Sequence, residues 1–301
     1  MATAQLASKS VGIKNVLIAT DFSHHSDAAL HYGLEFAHLY GAHAEIAYVV
    51  PTDEFVLAGP EGLHAAREAA RRDLLDFKAH LRHVGTLFED VDYHLTMLEG
   101  PVADCLLQCA SEKKIDLLVV GTHGRRGLGK FILGSVAEKV FRHSPVPVLT
   151  VGPNIHEPRE IDLTRHILAP CDLTPKSHPA VQYACTLAEA HHSQLTVLHV
   201  VEHLGEVTNL DPCRVKHEIR EKLVGIAGKI PEGVAVDYRV EFGNVATTIL
   251  RVASETAANL IVVGVRRSAG VLDRFMWPIA YELVREAACP VLTLRGSAPV
   301  S

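Results

Sequence analysis

Short apolar runs alternate with longer amphipathic stretches along the whole chain. In the first half, Val16–Thr20, Ala44–Val50, Asp92–Leu98, Asp116–Val120 and Val146–Val151 have the length and composition of strands, mostly rich in Val, Ile and Leu, as strands buried on both faces do. The stretches between them read as helices: Ser26–Tyr40, Glu61–His83, Val102–Ser111 and Val136–Arg142. In the longest, Leu63, Ala66, Ala70, Leu74, Phe77 and Leu81 recur near helical spacing, enough to build one apolar stripe. In the last, Val136 and Val140 share a face. Strand–helix alternation of this kind predicts right-handed crossovers and a parallel sheet with helices on both faces, an α/β fold.

The pattern then repeats. Asn15-Val-Leu-Ile-Ala-Thr-Asp-Phe-Ser23 matches His166-Ile-Leu-Ala-Pro-Cys-Asp-Leu-Thr174, and the register holds without a gap to Val49-Val50 and Val200-Val201. After a shorter middle segment, Gly100-Pro-Val-Ala103 matches Gly243-Asn-Val-Ala246. Val119-Val-Gly121 matches Val262-Val-Gly264, and Pro147-Val-Leu-Thr150 matches Pro290-Val-Leu-Thr293. Val215, Ile219, Leu223 and Ile226 mark the second copy's long helix. A repeat this long is a duplicated domain rather than a solenoid unit. The expected division is residues 1–152, a linker over 153–163 carrying Pro153, Pro158 and several charges, and residues 164–301. Two doubly wound domains also suit a chain of 301 residues, each long enough to bury its own core.

Composition narrows the function classes. Hydrophobic residues make up 48% and charged residues 21%, as in a water-soluble globular protein. A formal net charge of −6 argues against a nucleic-acid binder, which usually carries a basic surplus. Met1–Ser10 lacks the apolar core of a signal peptide. No apolar run approaches the roughly 18–20 residues that span a bilayer. The expectation is a cytoplasmic protein with no membrane or nucleic-acid partner. Six scattered cysteines fit reduced thiols there. Cys105 and Cys109 lie four apart on a helix, without the CxxC or HxxxH partners of a metal site. Among the 19 histidines, the local pairs His24/His25, His80/His83 and His199/His203 read as exposed or capping groups rather than ligands.

One stretch stands out chemically. Gly121-Thr-His-Gly-Arg-Arg-Gly-Leu-Gly-Lys-Phe-Ile-Leu-Gly-Ser135 joins the end of a strand to the start of a helix. Glycines there allow a close approach of a ligand to the main chain. The first N–H groups of the following helix, with the Ser135 hydroxyl, suit a phosphate. A glycine-rich turn without a ligand is the competing reading. The spacing is neither that of a Walker A loop nor a dinucleotide fingerprint.

Gly121-x2-Gly124-x9-Gly134-Ser135 resembles the nucleotide-binding signature of the ATP-binding universal stress proteins. With the repeat, the resemblance extends from Val11 to about Arg295, as a tandem universal stress protein. It implies a Rossmann-like fold of the adenine-nucleotide alpha hydrolase type, and ATP, with or without Mg, as the ligand of the first domain. It implies that Ala19, Thr20 and Asp21 contact base and ribose, and that the main chain of Val49 faces adenine. Gly121, His123 and Gly124 would line the ribose and phosphate path, and Gly134, Ser135 and Val136 would hold the phosphates. For Asp21, capping of the first helix is an equal alternative.

The second copy departs from this signature. In Gly264-Val-Arg-Arg-Ser-Ala-Gly-Val-Leu-Asp-Arg-Phe-Met-Trp-Pro278, Arg267 stands at the position of Gly124, Trp277 at that of Gly134 and Pro278 at that of Ser135. Pro removes an N–H donor, and Trp fills the space of a phosphate. Asp172 remains, but Pro170 and Cys171 replace Ala19 and Thr20. The second domain is therefore expected to be structural or to bind another ligand. Arg266, Arg267 and Arg274 form either a solvated rim or a different anion site.

No convincing catalytic set is visible. His123 is the first candidate should ATP be hydrolysed, and the resemblance allows slow turnover. Three classes stay open: an ATP-binding stress-response or regulatory protein, a slow ATPase or nucleotidyl-transfer enzyme, and a nucleotide-free interaction scaffold. The intact first loop favours the first two over the third, and the absence of an evident base favours the first over the second.

Each half ends in an apolar strand expected at a sheet edge, where unpaired backbone groups invite a partner. Single-domain relatives pair these edges between chains, so the resemblance implies a pseudo-dimer made within one chain, alongside any homodimer. Linkage raises the local concentration of the partner edge to about the millimolar range. The expected outcome is that Val148→Cys with Val291→Cys forms a disulfide inside one chain. Cross-links only between chains, read on a denaturing gel, would refute it.

Overall fold

Apolar runs of four to eight residues form strands in each half, and most are buried on both faces. The computed structural model describes residues 12–52, 59–84, 88–122, 134–155, 163–175, 177–202, 211–228, 230, 233–265 and 276–295. The chain divides into two compact units, one running from Ile13 to Ile161 and the other carrying the residues from Asp162 onward.

In the first unit the order is β1 (Asn15–Ala19), α1 (His24–Tyr40), β2 (His43–Val50), α2 (Gly59–Val84), β3 (Tyr93–Glu99), α3 (Val102–Glu112), β4 (Leu117–Gly121), α4 (Ser135–His143) and β5 (Val148–Val151). The sheet order is β3-β2-β1-β4-β5, with every neighbouring pair parallel. The second unit holds β6 (His166–Pro170), α5 (His178–His191), β7 (Gln194–Val201), α6 (Pro212–Ala227), β8 (Val236–Phe242), α7 (Val245–Glu255), β9 (Leu260–Val265), α8 (Met276–Glu286) and β10 (Val291–Arg295). Its order, β8-β7-β6-β9-β10, is the same topology, again parallel. The periodicity therefore placed these elements to within about two residues, the usual uncertainty of an element end.

Burial explains the strand composition. Val16, Leu17 and Ile18 of β1 and Leu117, Leu118 and Val119 of β4 are fully buried, because helices cover both faces. β3 lies at an edge, with Tyr93 exposed and its middle half-buried. α1 crosses β1 closely at Gly33, where an added Cβ would stand 2.6 Å from Ile18 Cγ1 and Cδ1. α1 ends at Gly41, whose φ of 58° and backbone bonds back to the last turn close the helix; glycine adopts that conformation without strain. The start of β1 is tied to the β4 side by Asp116, whose Oδ2 accepts from the N–H groups of Lys14 at 2.8 Å and Asn15 at 3.0 Å. All six cysteines are free. Burial pushes the Cys185 thiol up to about 11 and that of Cys289 to about 12, so both stay neutral thiols.

One charge is buried in the first sheet. Glu45 of β2 is 3% exposed. Its Oε1 accepts from Lys113 Nζ at 2.8 Å, from His94 Nδ1 at 3.1 Å and from the Thr96 hydroxyl. Burial pushes the carboxyl up. The bonds from Lys113, Thr96 and His94 outweigh it and hold the group below its ordinary 4.5. A folded value below the unfolded one stabilises the protein above the unfolded pKa, about 4.3, and that contribution is lost as pH falls through the folded value. Glu45→Gln is expected to lower stability at pH 7 by about 1–3 kcal/mol and to flatten the loss of stability below about pH 4.3. Urea unfolding of both proteins across that range checks it.

Candidate functional site

The carboxyl ends of parallel strands lie along one edge of the sheet, and in the first unit the predicted residues gather there. The chain runs from β1 outward through β2 to β3, then returns to the other side of β1 as β4 and β5. The switch in direction therefore falls between β1 and β4, where a doubly wound sheet opens its ligand crevice. Ala19 closes β1, and Thr20 and Asp21 follow it. Ala19 pairs with Ala47 on β2, so Val49 lies two residues further along that strand toward the same edge. Gly121 ends β4 in register with Val151. Gly134 and Ser135 open α4.

Both ends of the glycine-rich loop are pinned together. Thr122 N–H donates to the Val151 carbonyl at 3.1 Å, and the Gly134 N–H donates to the Thr122 carbonyl at 3.0 Å. A Cβ at Gly134 would stand 3.0 Å from that carbonyl oxygen, a tight contact that glycine avoids. Gly134 caps α4 with no side chain, and its carbonyl takes the N–H of Glu138 at 2.9 Å. The N–H groups of the first turn have no carbonyl one turn back within the helix. The exposed Ser135 and half-buried Val136 stand in that turn. Uncapped amides beside a hydroxyl, at the switch point, are a donor set that fits a phosphate. His123 and Gly124 lie outside the described residues, as do Arg125, Arg126 and Lys130.

Asp21 is committed in part to its own turn. Its Oδ1 accepts from Ser23 N–H at 3.1 Å and from the Ser23 hydroxyl at 2.5 Å. Thr20 is buried; its hydroxyl meets Ser26 Oγ at 3.0 Å and accepts from Phe22 N–H at 3.0 Å. The turn forces Phe22 to a φ of 61°, unfavourable for a residue with a Cβ. Ring packing offsets this: Phe22 stacks on Tyr48 at 4.4 Å between centroids and tilts against Phe77 at 4.6 Å. Inspection of motifs missed this aromatic group. The signal available was that Phe22 and Tyr48 immediately adjoin Asp21 and Val49.

The second unit builds the same turn. Asp172 Oδ1 accepts from Thr174 N–H at 2.9 Å and from its hydroxyl at 2.7 Å, and Leu173 takes a φ of 61°. Cys171 Sγ meets Ser177 Oγ at 3.3 Å, where Thr20 meets Ser26 in the first. Here no aromatic stack stands beside the aspartate: His199 holds the position of Tyr48, and its Nδ1 donates to the Cys171 carbonyl at 2.7 Å. The turn thus persists where the glycine signature is lost, so it serves the fold in both halves. The loop residues 266–275 and the side chains of Trp277 and Pro278 lie outside the description, as do His203 and the side chains of His24, His25, His80 and His83. Among the described residues, no helix is long and apolar enough to cross a membrane.

Comparison with known proteins adds four observations. The model of the universal stress protein family matches residues 12–152 and again 164–295. The chain is 34% identical over 140 residues to universal stress protein MJ0531 of Methanocaldococcus jannaschii, covering 46% of this chain and 81% of that one. It is 24% identical over 292 residues to a universal stress protein of Mycolicibacterium smegmatis, covering 93% and 96%. Among solved structures, a universal stress protein from Archaeoglobus fulgidus superposes with a TM-score of 0.72 at 20% identity, covering 96% of this chain and 99% of that one. This last likeness is one of fold.

The shared turn yields a test. Ser23, not Asp21, stands at the N-cap of α1, so the aspartate serves the turn rather than the cap. Asp21→Ala and Asp172→Ala each release a serine or threonine N–H and hydroxyl, and each is expected to lower stability by about 0.5–1.5 kcal/mol per bond lost. Asn at either position keeps an acceptor oxygen and is expected to recover most of the loss. Denaturant midpoints of the four variants provide the measurement.

Proposed function

The chain belongs to the universal stress protein family, and from that premise we propose that it is an ATP-binding stress-response or regulatory protein whose first half holds the nucleotide. The observation that carries this reading is the contrast between the two copies. Gly121, Gly124, Gly134 and Ser135 keep the signature in the first, while Arg267, Trp277 and Pro278 interrupt it in the second. The geometry around the first loop supports the same reading. Gly134 approaches the Thr122 carbonyl closely, and the first turn of α4 presents uncapped amides with Ser135.

In this reading the amides of Ser135 and Val136 and the Ser135 hydroxyl hold phosphate oxygens. Negative charge there is favoured by the dipole of α4. Asp21 orients the ribose through its hydroxyls, and Ala19, Thr20 and Val49 border the base along the ends of β1 and β2. Gly121, His123 and Gly124 line the path between them. ATP supplies charge and shape that bias the protein toward one state; no step of chemistry on it is assigned to this chain. The second half acts as a structural copy of the first, without a nucleotide of its own.

Calorimetry on the full chain is expected to give one ATP per chain. Ser135→Ala removes one charge-assisted bond, worth about 1.5–3 kcal/mol, and is expected to weaken binding by roughly tenfold or more. Gly134→Trp blocks the phosphate path and is expected to abolish it. Two equivalent sites, or full affinity in both variants, would overturn the proposal.

A further inference from the structure

We propose that the second unit carries an anion site of its own, in the groove between α6 and β8, for a small organic acid: a phosphate or carboxylate on a ring-sized apolar body. Strand β8 alternates. Tyr238 and Val240 point toward α6, while Asp237, Arg239 and Glu241 hold the intervening positions. Lys216 and Arg220 stand one turn apart on α6 with His217 beside Lys216, and with Tyr238 and Val240 they line an open groove of about 250 Å3. All three basic residues are exposed, Tyr238 is half-buried and Val240 is buried. Two cations, Lys216 and Arg220, with His217 beside them, thus rim an apolar floor, and no carboxylate is among the lining residues.

These cations are not neutralised locally. On the same helix Arg214 pairs with Glu218 at 2.9 Å. Among the described residues neither Lys216, His217 nor Arg220 has a carboxylate partner. Lys216 Nζ lies 5.3 Å from the centroid of the Phe242 ring, at the end of the same strand, where the ring face attracts it. Arg239 and Arg251, near the opposite face of the strand, are by contrast bound by Glu241 and Glu255. In a chain of net charge −6, a cluster of unneutralised cations over an aromatic floor is a complement to an acid, and it concentrates anions locally.

The duplication supplies an internal control. The first unit has a groove between the equivalent elements α2 and β3, displaced toward the start of the strand, about 240 Å3 and lined by Lys78, Leu81, Tyr93 and Leu95. The space is nearly the same, but only one cation remains. Packing of the long helix on the edge strand leaves a groove in both units, and the second copy's carries the greater positive charge. The size also selects the ligand. About 250 Å3 is smaller than the roughly 300–1,000 Å3 of pockets for drug-sized molecules, so it suits one ring with one acid group rather than a nucleotide.

The test uses the full chain, titrated calorimetrically with phenyl phosphate, benzoate and inorganic phosphate, with ATP present or absent. Phenyl phosphate or benzoate is expected to bind in the millimolar range or tighter. Inorganic phosphate, lacking the ring, is expected to bind roughly tenfold more weakly. Lys216→Glu with Arg220→Glu is expected to weaken binding by roughly tenfold or more, with Lys216→Gln and Arg220→Gln intermediate and Lys78→Glu unchanged. Thermal unfolding checks that each variant is folded. Whichever ring acid binds more tightly identifies phosphate or carboxylate as the preferred group. No binding of either ring acid, equal affinity for inorganic phosphate, displacement by ATP, or indifference to the charge reversals would each overturn the proposal.

Discussion

In the first unit, the arrangement of the candidate site depends on β1 being paired on both sides, with β2 and with β4, all three parallel. That double pairing puts the ends of three strands on one edge and creates the switch in direction at which doubly wound sheets bind their ligands. Asp116 ties the amino end of β1 to the β4 side, and the Cβ-free contact of Gly33 on Ile18 lets α1 lie close across it. Thr20 N–H then reaches the Ala47 carbonyl at 3.0 Å, so the turn bearing Asp21 begins beside β2. A change that loosened β1 would move Asp21, Val49 and the glycine loop relative to one another without touching any of them.

Duplication separates what the fold requires from what a ligand would require. The aspartate turn, the left-handed residue after it and the hydroxyl or thiol packed behind it occur in both halves, so they belong to the βα junction itself. The aromatic contacts of Phe22 with Tyr48 and Phe77 occur in the first half alone, where the junction adjoins the intact glycine signature. His199 shows how the second half closes the same place differently: a hydrogen bond to the Cys171 carbonyl replaces a stacked ring. The second half, where the glycine signature is interrupted, also carries a different charge pattern between α6 and β8.

Much of this was legible in the residues. Apolar runs of strand length, separated by helical periodicity and repeated at a fixed offset, determine an α/β chain of two like units, because burial on both faces of a parallel strand demands uninterrupted apolar residues. The glycine spacing marked one loop as chemically special, because glycine permits close backbone approach, as between Gly134 and Thr122. Tertiary structure decided what depends on neighbours distant in sequence. Periodicity did not reveal that Glu45 is a buried charge, since its partners Lys113, His94 and Thr96 lie on other elements. It did not reveal that Asp21 spends an oxygen on its own turn, that Phe22 adopts a left-handed backbone compensated by Tyr48 and Phe77, or that Lys216, His217 and Arg220 rim an apolar groove. Sequence determines which elements form, because that is local and periodic; the environment of each side chain is set by packing between elements, which only the folded chain brings together.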